Sequence, residues 1–519
     1  MEKTLTELNT GYLWHDGEFY EGNPGTVFPA DCSEERFVEI LKTADGCFRL
    51  ALETEDLILA TVDRVRSLPL FYALKNGRLL LSMNAHDLRS RLGDPPLDEQ
   101  ALAEFLLAGY TCLGDTLVSD IKQLQAGQYL IWNKLSQSLR IGEYYVYRQQ
   151  FEPLHDSLEA LDQMHLRVFE RLIQSAQGRT LVVPLSGGLD SRLIAVMLKR
   201  LGYPKVICYT FGNSLHDEAV TSSKVAKFLN LPWLIVEQNR HMWYNAYRSE
   251  EMRRYFRFST NLSSLPHVHD WLAIKTLLKR EQIPSDAIIV PGHSGGFSQG
   301  AGLPLILVNR EELTRRELLD LILRDHYDLW PCANDRRHKL FGARVQESLQ
   351  LPETIQTPIA ASFYDEWDWR QRQSRLYVNS LRIYDFFGLD WRMPLWDMDY
   401  IGFWTRVPLD LRQGRELMNQ YTRKYQSVPL PAYNDYPLGK KLHRRYQRAV
   451  SGNLSDQRYG RFLDYRDRNG YLHTKVSTLL APNLAYPDFV NPDINILDAN
   501  INAVQTLTYI RALASGELN

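Results

Sequence analysis

Leu185-Ser186-Gly187-Gly188-Leu189-Asp190-Ser191 is the stretch whose residue types and spacing best suit chemistry. Two adjacent glycines let a backbone turn tightly and approach a charged ligand with no Cβ in the way. A helix starting just after them would aim its free N–H groups at an anion, and phosphate fits such a turn. Ser186 and Ser191 add hydroxyl donors, and Asp190 can hold the Mg²⁺ that neutralises a pyrophosphate. The same letters also suit a plain strand-to-helix turn with a capping Ser or Asp. Context separates the two.

That context is a run of alternating elements. Thr180–Leu185 reads as a buried strand and Arg192–Leu201 as a helix, so the turn lies between them. Lys205–Phe211, Trp233–Val236 and Asp286–Val290 read as further strands, with a helix over Val220–Leu229. Leu158–Gln177 carries Leu161, Met164, Val168, Leu172 and Ile173 at helical spacing and predicts an amphipathic helix. Strands alternating with helices imply an α/β fold with a parallel sheet, whose ligands bind beyond the carboxyl ends of the strands. Beyond about residue 310 the chain reads as helix-rich, with many aromatics and arginines.

Residues 1–150 follow a different grammar. Cys47–Leu52, Leu57–Val62, Leu68–Ala73, Arg78–Met83 and Gln128–Trp132 predict short strands, and Asp98–Leu107 a helix. Breaks are expected at Asp45-Gly46, Glu53–Glu55 and Asn76-Gly77, the last a hairpin signal. A polar stretch near Gln149–Ser157 separates this layered α+β half from residues 151–519.

Bulk properties narrow the function. At 519 residues two domains or more are expected. Sixty basic against 62 acidic side chains give a net charge of −2, so a nucleic-acid partner is disfavoured. Five scattered cysteines form no CxxC pair, which suits a reducing cytosol better than a disulfide or zinc framework. Residues 1–9 lack the apolar core of a signal peptide, and no transmembrane run occurs. A cytoplasmic protein is the expectation.

SGGLDS resembles the pyrophosphate-loop signature of ATP pyrophosphatases, and its surroundings resemble the asparagine synthetase family. Cys208-Tyr209-Thr210-Phe211-Gly212, then Asp217 and Val225-Ala226, is similar to that family's second strand and following helix. Gly388–Asp397 resembles its "GLE-x-R-x-PFLD" segment. In the N-terminal half, Asp45-Gly46-Cys47-Phe48, Asp63-Arg64, Pro69–Tyr72 and Ala126-Gly127 match glutaminase-domain landmarks in order. The resemblance spans roughly residues 40 to 440. It implies an N-terminal Ntn-hydrolase-like domain (1–150) and an ATP pyrophosphatase α/β domain with a helical extension (151–519). It also implies ATP and Mg²⁺ as cofactors, with Leu185–Ser191, Thr210, Phe211, Gly212 and Gly292 binding ATP and Asp190 the metal. Lys440 and Lys441 lie where the family carries a pyrophosphate lysine.

Two departures stand out. The family's glutaminase uses a cysteine as residue two, whereas this chain reads Met1-Glu2-Lys3, so no glutaminase activity of the usual kind is expected. β-Lactam synthetases and lasso-peptide cyclases resemble it in this. The family's "SGEGADE" loop reads Pro291-Gly292-His293-Ser294-Gly295-Gly296-Phe297, with His293 for Glu and Gly296 for Asp. His293 is a candidate proton shuttle or substrate contact, or else a packed loop histidine. His267 and His269 are expected to be surface or core residues, Arg392 and Asp390 a structural pair, and Trp367, Trp369, Trp391, Trp396 and Trp404 core.

The "GHSG" and "WR-x-PLWD" pattern looks more like relatives of bacterial surface-polysaccharide assembly. The expected activity is an AMP-forming amide ligase acting on a small carboxylate, such as a uronic acid. Its nitrogen donor would be ammonia or supplied by a partner, and a homodimer is compatible. A peptide or amino-acid cyclase and a non-catalytic ATP-binding homologue are the alternatives.

Overall fold

The computed structural model describes residues 5–150, 154, 156–215, 217–426, 480, 484–487, 489–490, 493 and 500–518. Nine strands build the N-terminal part: β1 (Thr10–His15), β2 (Glu18–Glu21), β3 (Asp45–Glu53), β4 (Leu57–Val62), β5 (Phe71–Lys75), β6 (Arg78–Ser82), β7 (Lys122–Gln123), β8 (Gln128–Asn133) and β9 (Ser138–Glu143). They form a six-stranded sheet, β2-β1-β3-β4-β8-β9, and a three-stranded one, β6-β5-β7. Alternation along β3 sends Phe48 and Leu50 to one face, under Phe37, Ile40 and Leu41 of the helix Glu34–Thr43. Ala51 goes to the other face with Val62, Leu70 and Leu130. The sheet is therefore covered on both sides.

Asn76 (φ 50°) and Gly77 (φ 69°) are both left-handed and close the predicted β5–β6 hairpin. Asp45-Gly46, expected as a break, instead lies inside β3. Gly46 pairs with Leu13 at φ 150°, and a Cβ there would stand 2.3 Å from the Tyr12 carbonyl oxygen. That glycine serves a close strand crossing. The predicted strand at Leu68–Ala73 starts later, at Phe71, because Pro69 has no N–H to offer a ladder.

The second sheet is parallel in every pair. β10 (Leu181–Pro184), β11 (Val206–Gly212), β12 (Trp233–Glu237) and β13 (Ile288–Ile289) are laid down in turn. A small antiparallel pair follows, β14 (Glu312–Thr314) with β15 (Thr354–Gln356), and β16 (Asp390–Trp391) then returns to the sheet edge. The order is β12-β11-β10-β13-β16. The chain winds one way from β10 to β12 and the other way from β13, so β10 marks the switch point where such sheets bind ligands. The helices Ser157–Ala176, Leu189–Arg200 and Asp217–Leu229 flank it, the first burying Leu161, Met164, Val168 and Leu172 as predicted.

The two parts share their cores. Tyr12, Cys47, Val65 and Tyr147 belong to the hydrophobic cluster under the parallel sheet. Another cluster joins the helix Glu99–Ala108 to the helices Arg315–His326, Thr357–Asp368 and Ile501–Ala514, with Phe105 and Tyr509 ring to ring at 5.7 Å. All five tryptophans singled out above are buried. Asp390 and Arg392 do not pair with each other. Asp390 meets Arg179 at 2.5 Å, while Arg392 joins Glu21 and stacks over Tyr12 at 4.3 Å, tying the β1–β2 hairpin to the second sheet.

Candidate functional site

The turn after β10 is held open by its own serines. The Ser186 N–H donates to Ser191 Oγ at 3.0 Å, and the Gly188 N–H donates to Ser186 Oγ at 3.1 Å. Gly188 then caps the helix Leu189–Arg200 with extended backbone and no side-chain cap hydrogen bond. An added Cβ on Gly187 would lie 3.5 Å from Thr221 Cβ and 3.7 Å from Glu218 Cα, so the turn rests on the helix that follows β11. The Leu185 N–H donates to the Tyr209 carbonyl at 2.8 Å, which sets Thr210, Phe211 and Gly212 beside the turn. Thr210 is 8% exposed, and Gly212 has φ 112°.

Gly292 closes the third side. Its Cβ would fall 2.9 Å from the Ser191 nitrogen and 3.1 Å from Asp190 Cβ, so only glycine lets this loop pack on the cradle. Leu185–Ser191, Thr210–Gly212, Gly292 and His293 thus converge at the carboxyl edge of the sheet. Lys440 and Lys441 lie outside the described residues.

Asp190 has partners that sequence reasoning missed. Arg415 donates to its Oδ1, and Gln299 Nε2 approaches the same oxygen at 3.2 Å. Gln299 is fixed by Arg415 and by the Tyr400 hydroxyl at 2.5 Å. Arg415 reaches the site because Gly414 and Arg415 are both left-handed (φ 63° and 66°), reversing the chain between two helices. Gly414 was the only local signal.

His293 Nε2 lies 2.6 Å from Ser380 Oγ, and Ser380 Oγ lies 2.6 Å from the Tyr377 carbonyl. A carbonyl can only accept, so the single serine hydrogen goes there, and His293 must donate from Nε2. Its Nδ1 is then a free lone pair, with no hydrogen-bond partner among the described residues. Burial pushes the imidazole below its ordinary pKa, against an opposing pull from Asp270. The His267 ring lies tilted at 4.6 Å from that of His269 and edge-on at 6.4 Å from that of His293, the latter an association not visible from sequence. Among the described residues no group of three His, Cys, Asp or Glu could hold a metal ion.

Cys32, Cys47, Cys112 and Cys208 are buried, and burial raises the pKa of each thiol. None is an activated nucleophile. No helix among the described residues is long and apolar enough to cross a membrane.

An antiparallel sheet domain followed by a parallel sheet with a glycine-rich turn at its switch point defines a mixed α/β protein. The model of a glutamine amidotransferase domain matches residues 30–145, and that of asparagine synthase matches residues 172–248. The chain is asparagine synthetase-like. No curated protein matches it.

Among solved structures it is similar to an NH3-dependent NAD synthetase from Campylobacter jejuni in complex with nitrate (19% identity, 28% of this chain and 62% of that one, TM-score 0.19). It is also similar to a glutamine phosphoribosylpyrophosphate amidotransferase from B. subtilis complexed with ADP and GMP (9% identity, 50% and 51%, TM-score 0.16). A third is a glutamine-dependent NAD+ synthetase from Acinetobacter baumannii in complex with ADP (12% identity, 69% and 90%, TM-score 0.19). The chain therefore spans less than two thirds of the first two structures.

Proposed function

We propose that this protein is an AMP-forming amide ligase that adenylates a small carboxylate, a uronic acid in the reading we favour, and transfers nitrogen to it. Residues 1–150 are a degenerate glutaminase-like domain in this reading, and 151–519 the synthetase. One observation carries it: a glycine-rich, serine-lined turn at the switch point of a parallel sheet, with a guanidinium delivered onto its aspartate.

In the first step a substrate carboxylate oxygen attacks the α-phosphorus of ATP, and the bond to the bridging oxygen breaks to release pyrophosphate. The open first turn of Leu189–Arg200 and the Ser186 and Ser191 hydroxyls hold the departing phosphates. Arg415 offsets the charge that builds on them, and Lys440 or Lys441 would add a second cation. Magnesium fits as an ion arriving with the phosphates, since the hydrogen bonds to Asp190 fall on Oδ1 and its Oδ2 would hold the metal, which lowers the charge on the leaving group.

In the second step a nitrogen nucleophile attacks the acyl carbon, AMP leaves with the C–O bond, and His293 Nδ1 takes the surplus proton. A neutral imidazole at pH 7 suits that role. With the thiols of Cys32, Cys47, Cys112 and Cys208 buried and unactivated, the chain would draw on ammonia or a partner's nitrogen rather than glutamine. ATP–pyrophosphate exchange against a library of carboxylic acids tests the reading. Exchange with at least one acid is expected, and none with any acid would overturn it.

A further inference from the structure

Where the first part of the chain meets the second lies a cavity of about 160 Å³, and none of the cradle residues lines it. Tyr145 and Val146, just after β9, give it apolar surface from one side of the seam. Trp396, Met398 and Ile401 give it apolar surface from the other. The Gln150 N–H donates to the Thr405 carbonyl at 2.6 Å and stitches the two sides together. Gly402 also lines the cavity, inside the helix Met398–Trp404, and an added Cβ there would meet nothing within 4 Å. Sterics therefore do not require glycine at this position, and glycine weakens a helix relative to alanine. What it supplies is room.

The charge of the lining is one-sided, with Arg64 and Arg148 and no carboxylate. Arg148 is already met by Glu366 at 3.3 Å. Arg64 is uncommitted. One N–H of its Nη2 donates to the Lys42 carbonyl at 2.7 Å, but its buried Nε has no partner and it forms no ion pair among the described residues. Asp45 attracts it only from farther off. The guanidinium lies over the Tyr145 ring at 4.8 Å, and Trp369 braces that ring edge-on at 5.6 Å, so the cation is positioned before any ligand arrives. Trp396, 8% exposed, adds an indole N–H with no partner among the described residues. A buried N–H without an acceptor is uncommon in native proteins, so two such residues on one cavity point to an acceptor from outside the chain.

We infer that this seam is a binding site for a small aromatic carboxylate, one ring carrying one acid. Size sets the ring, since an apolar cavity of roughly 150 Å³ takes up a single benzene. The tyrosine and tryptophan faces suit an aromatic body better than a polar one. Charge sets the acid, because a free guanidinium and an indole N–H are donors that a carboxylate can satisfy together. The ligand would touch both parts of the chain at once. The inference does not depend on what the glycine-rich turn binds.

Calorimetric titration of the full chain with benzoate, benzamide and benzamidinium tests it. Saturable benzoate binding is expected, with benzamide weaker by about tenfold or more and benzamidinium weaker still. Arg64→Met, which keeps the reach and removes the charge, should weaken benzoate by about tenfold or more. Gly402→Leu, which fills the cavity, should abolish its binding, and both variants should melt near the parent. Should the leucine variant fail to fold, Gly402→Ala adds one methyl that a helix favours and should still weaken benzoate. No saturable benzoate binding, or benzamide binding as tightly as benzoate, would overturn the inference. Parent affinity in Arg64→Met or in Gly402→Leu would overturn it as well, by placing benzoate elsewhere on the chain.

Discussion

Arg415 lays its guanidinium on Oδ1 of Asp190 across 225 residues of sequence, and both side chains are largely withdrawn from solvent (12% and 21% exposed). The contact is held by backbone that a non-glycine residue adopts at a cost of about 1–2 kcal/mol. The Gly414–Arg415 turn keeps that strained conformation while aiming a cation at Asp190 in the glycine-rich turn. Strain concentrated at a side chain that serves the site rather than the core points to function.

Replacing Arg415 by Ala should therefore lower the pyrophosphate-exchange rate by about 10²–10³, the loss seen for one transition-state donor. Arg415→Lys should keep part of the rate, because a point charge remains while the paired contact to Asp190 and Gln299 does not. Melting temperatures of both variants should stay near that of the parent. Full exchange activity in Arg415→Ala would show that the guanidinium only braces Asp190.

In the proposed mechanism, Ser380 and His293 would separate the two chemical steps. Ser380→Ala frees the imidazole tautomer, so Nδ1 is no longer held as the lone pair. Amide formation should fall by about tenfold or more, within the range general-base catalysis supplies, while pyrophosphate exchange persists. Because burial holds His293 neutral, the parent's amide-forming rate should stay flat as pH falls to the usual imidazole range, about 6.5, and drop only below it. Loss of exchange and amide formation in equal measure would assign Ser380 to structure alone.

How far these features were legible depended on how local they are. The cradle was readable because an apolar strand, two glycines, two serines and a helix occupy one short stretch, each visible to its neighbours. Arg415, Gln299 and Ser380 were not, since each meets its partner across tens to hundreds of residues and looks like an ordinary polar residue in its own helix or turn. Asp45-Gly46 misled for the opposite reason. A glycine that permits a close crossing with Tyr12 has the same letters as one that turns the chain. The same two letters at Asp16-Gly17 do close a hairpin, between β1 and β2. Composition around residue 150 could not show that Tyr12 and Cys47 belong to the core beneath the second sheet.

A half-buried carboxylate pair where the two sheets meet makes stability depend on pH. The Met398 N–H donates to Asp45 Oδ2 at 3.1 Å, and Asp397 is held by Arg171 at 2.9 Å. Burial, then the neighbouring Asp397, raises Asp45 well above its usual carboxylate value. A folded pKa above the unfolded one means the native state binds more protons, so stability falls as pH rises from about 4 toward neutrality. Asp45→Asn keeps an acceptor for Met398 and removes the charge. Its melting temperature should exceed the parent's at pH 8 and match it at pH 4. A difference of the same size at both values would mean that Asp45 is ionised in the native protein throughout.

Neighbouring glycines offer a steric test of the cradle. A Cβ at Gly295 would stand 2.6 Å from both Asp190 Oδ1 and Leu395 Cδ1, closer than carbon tolerates, whereas at Gly296 it would stand 3.4 Å from Ala301 Cβ and 3.9 Å from Asp190 Oδ2. Leu395 is wholly buried, so the atom free to give way is the Asp190 carboxylate, and with it the hold on Arg415. Gly295→Ala should then weaken ATP binding by about tenfold or more, while Gly296→Ala binds as the parent does. Calorimetric titration of ATP into both variants reads the contrast directly. Equal affinities would mean that Asp190 can move without disturbing the nucleotide, and the site would then not depend on where Arg415 holds it.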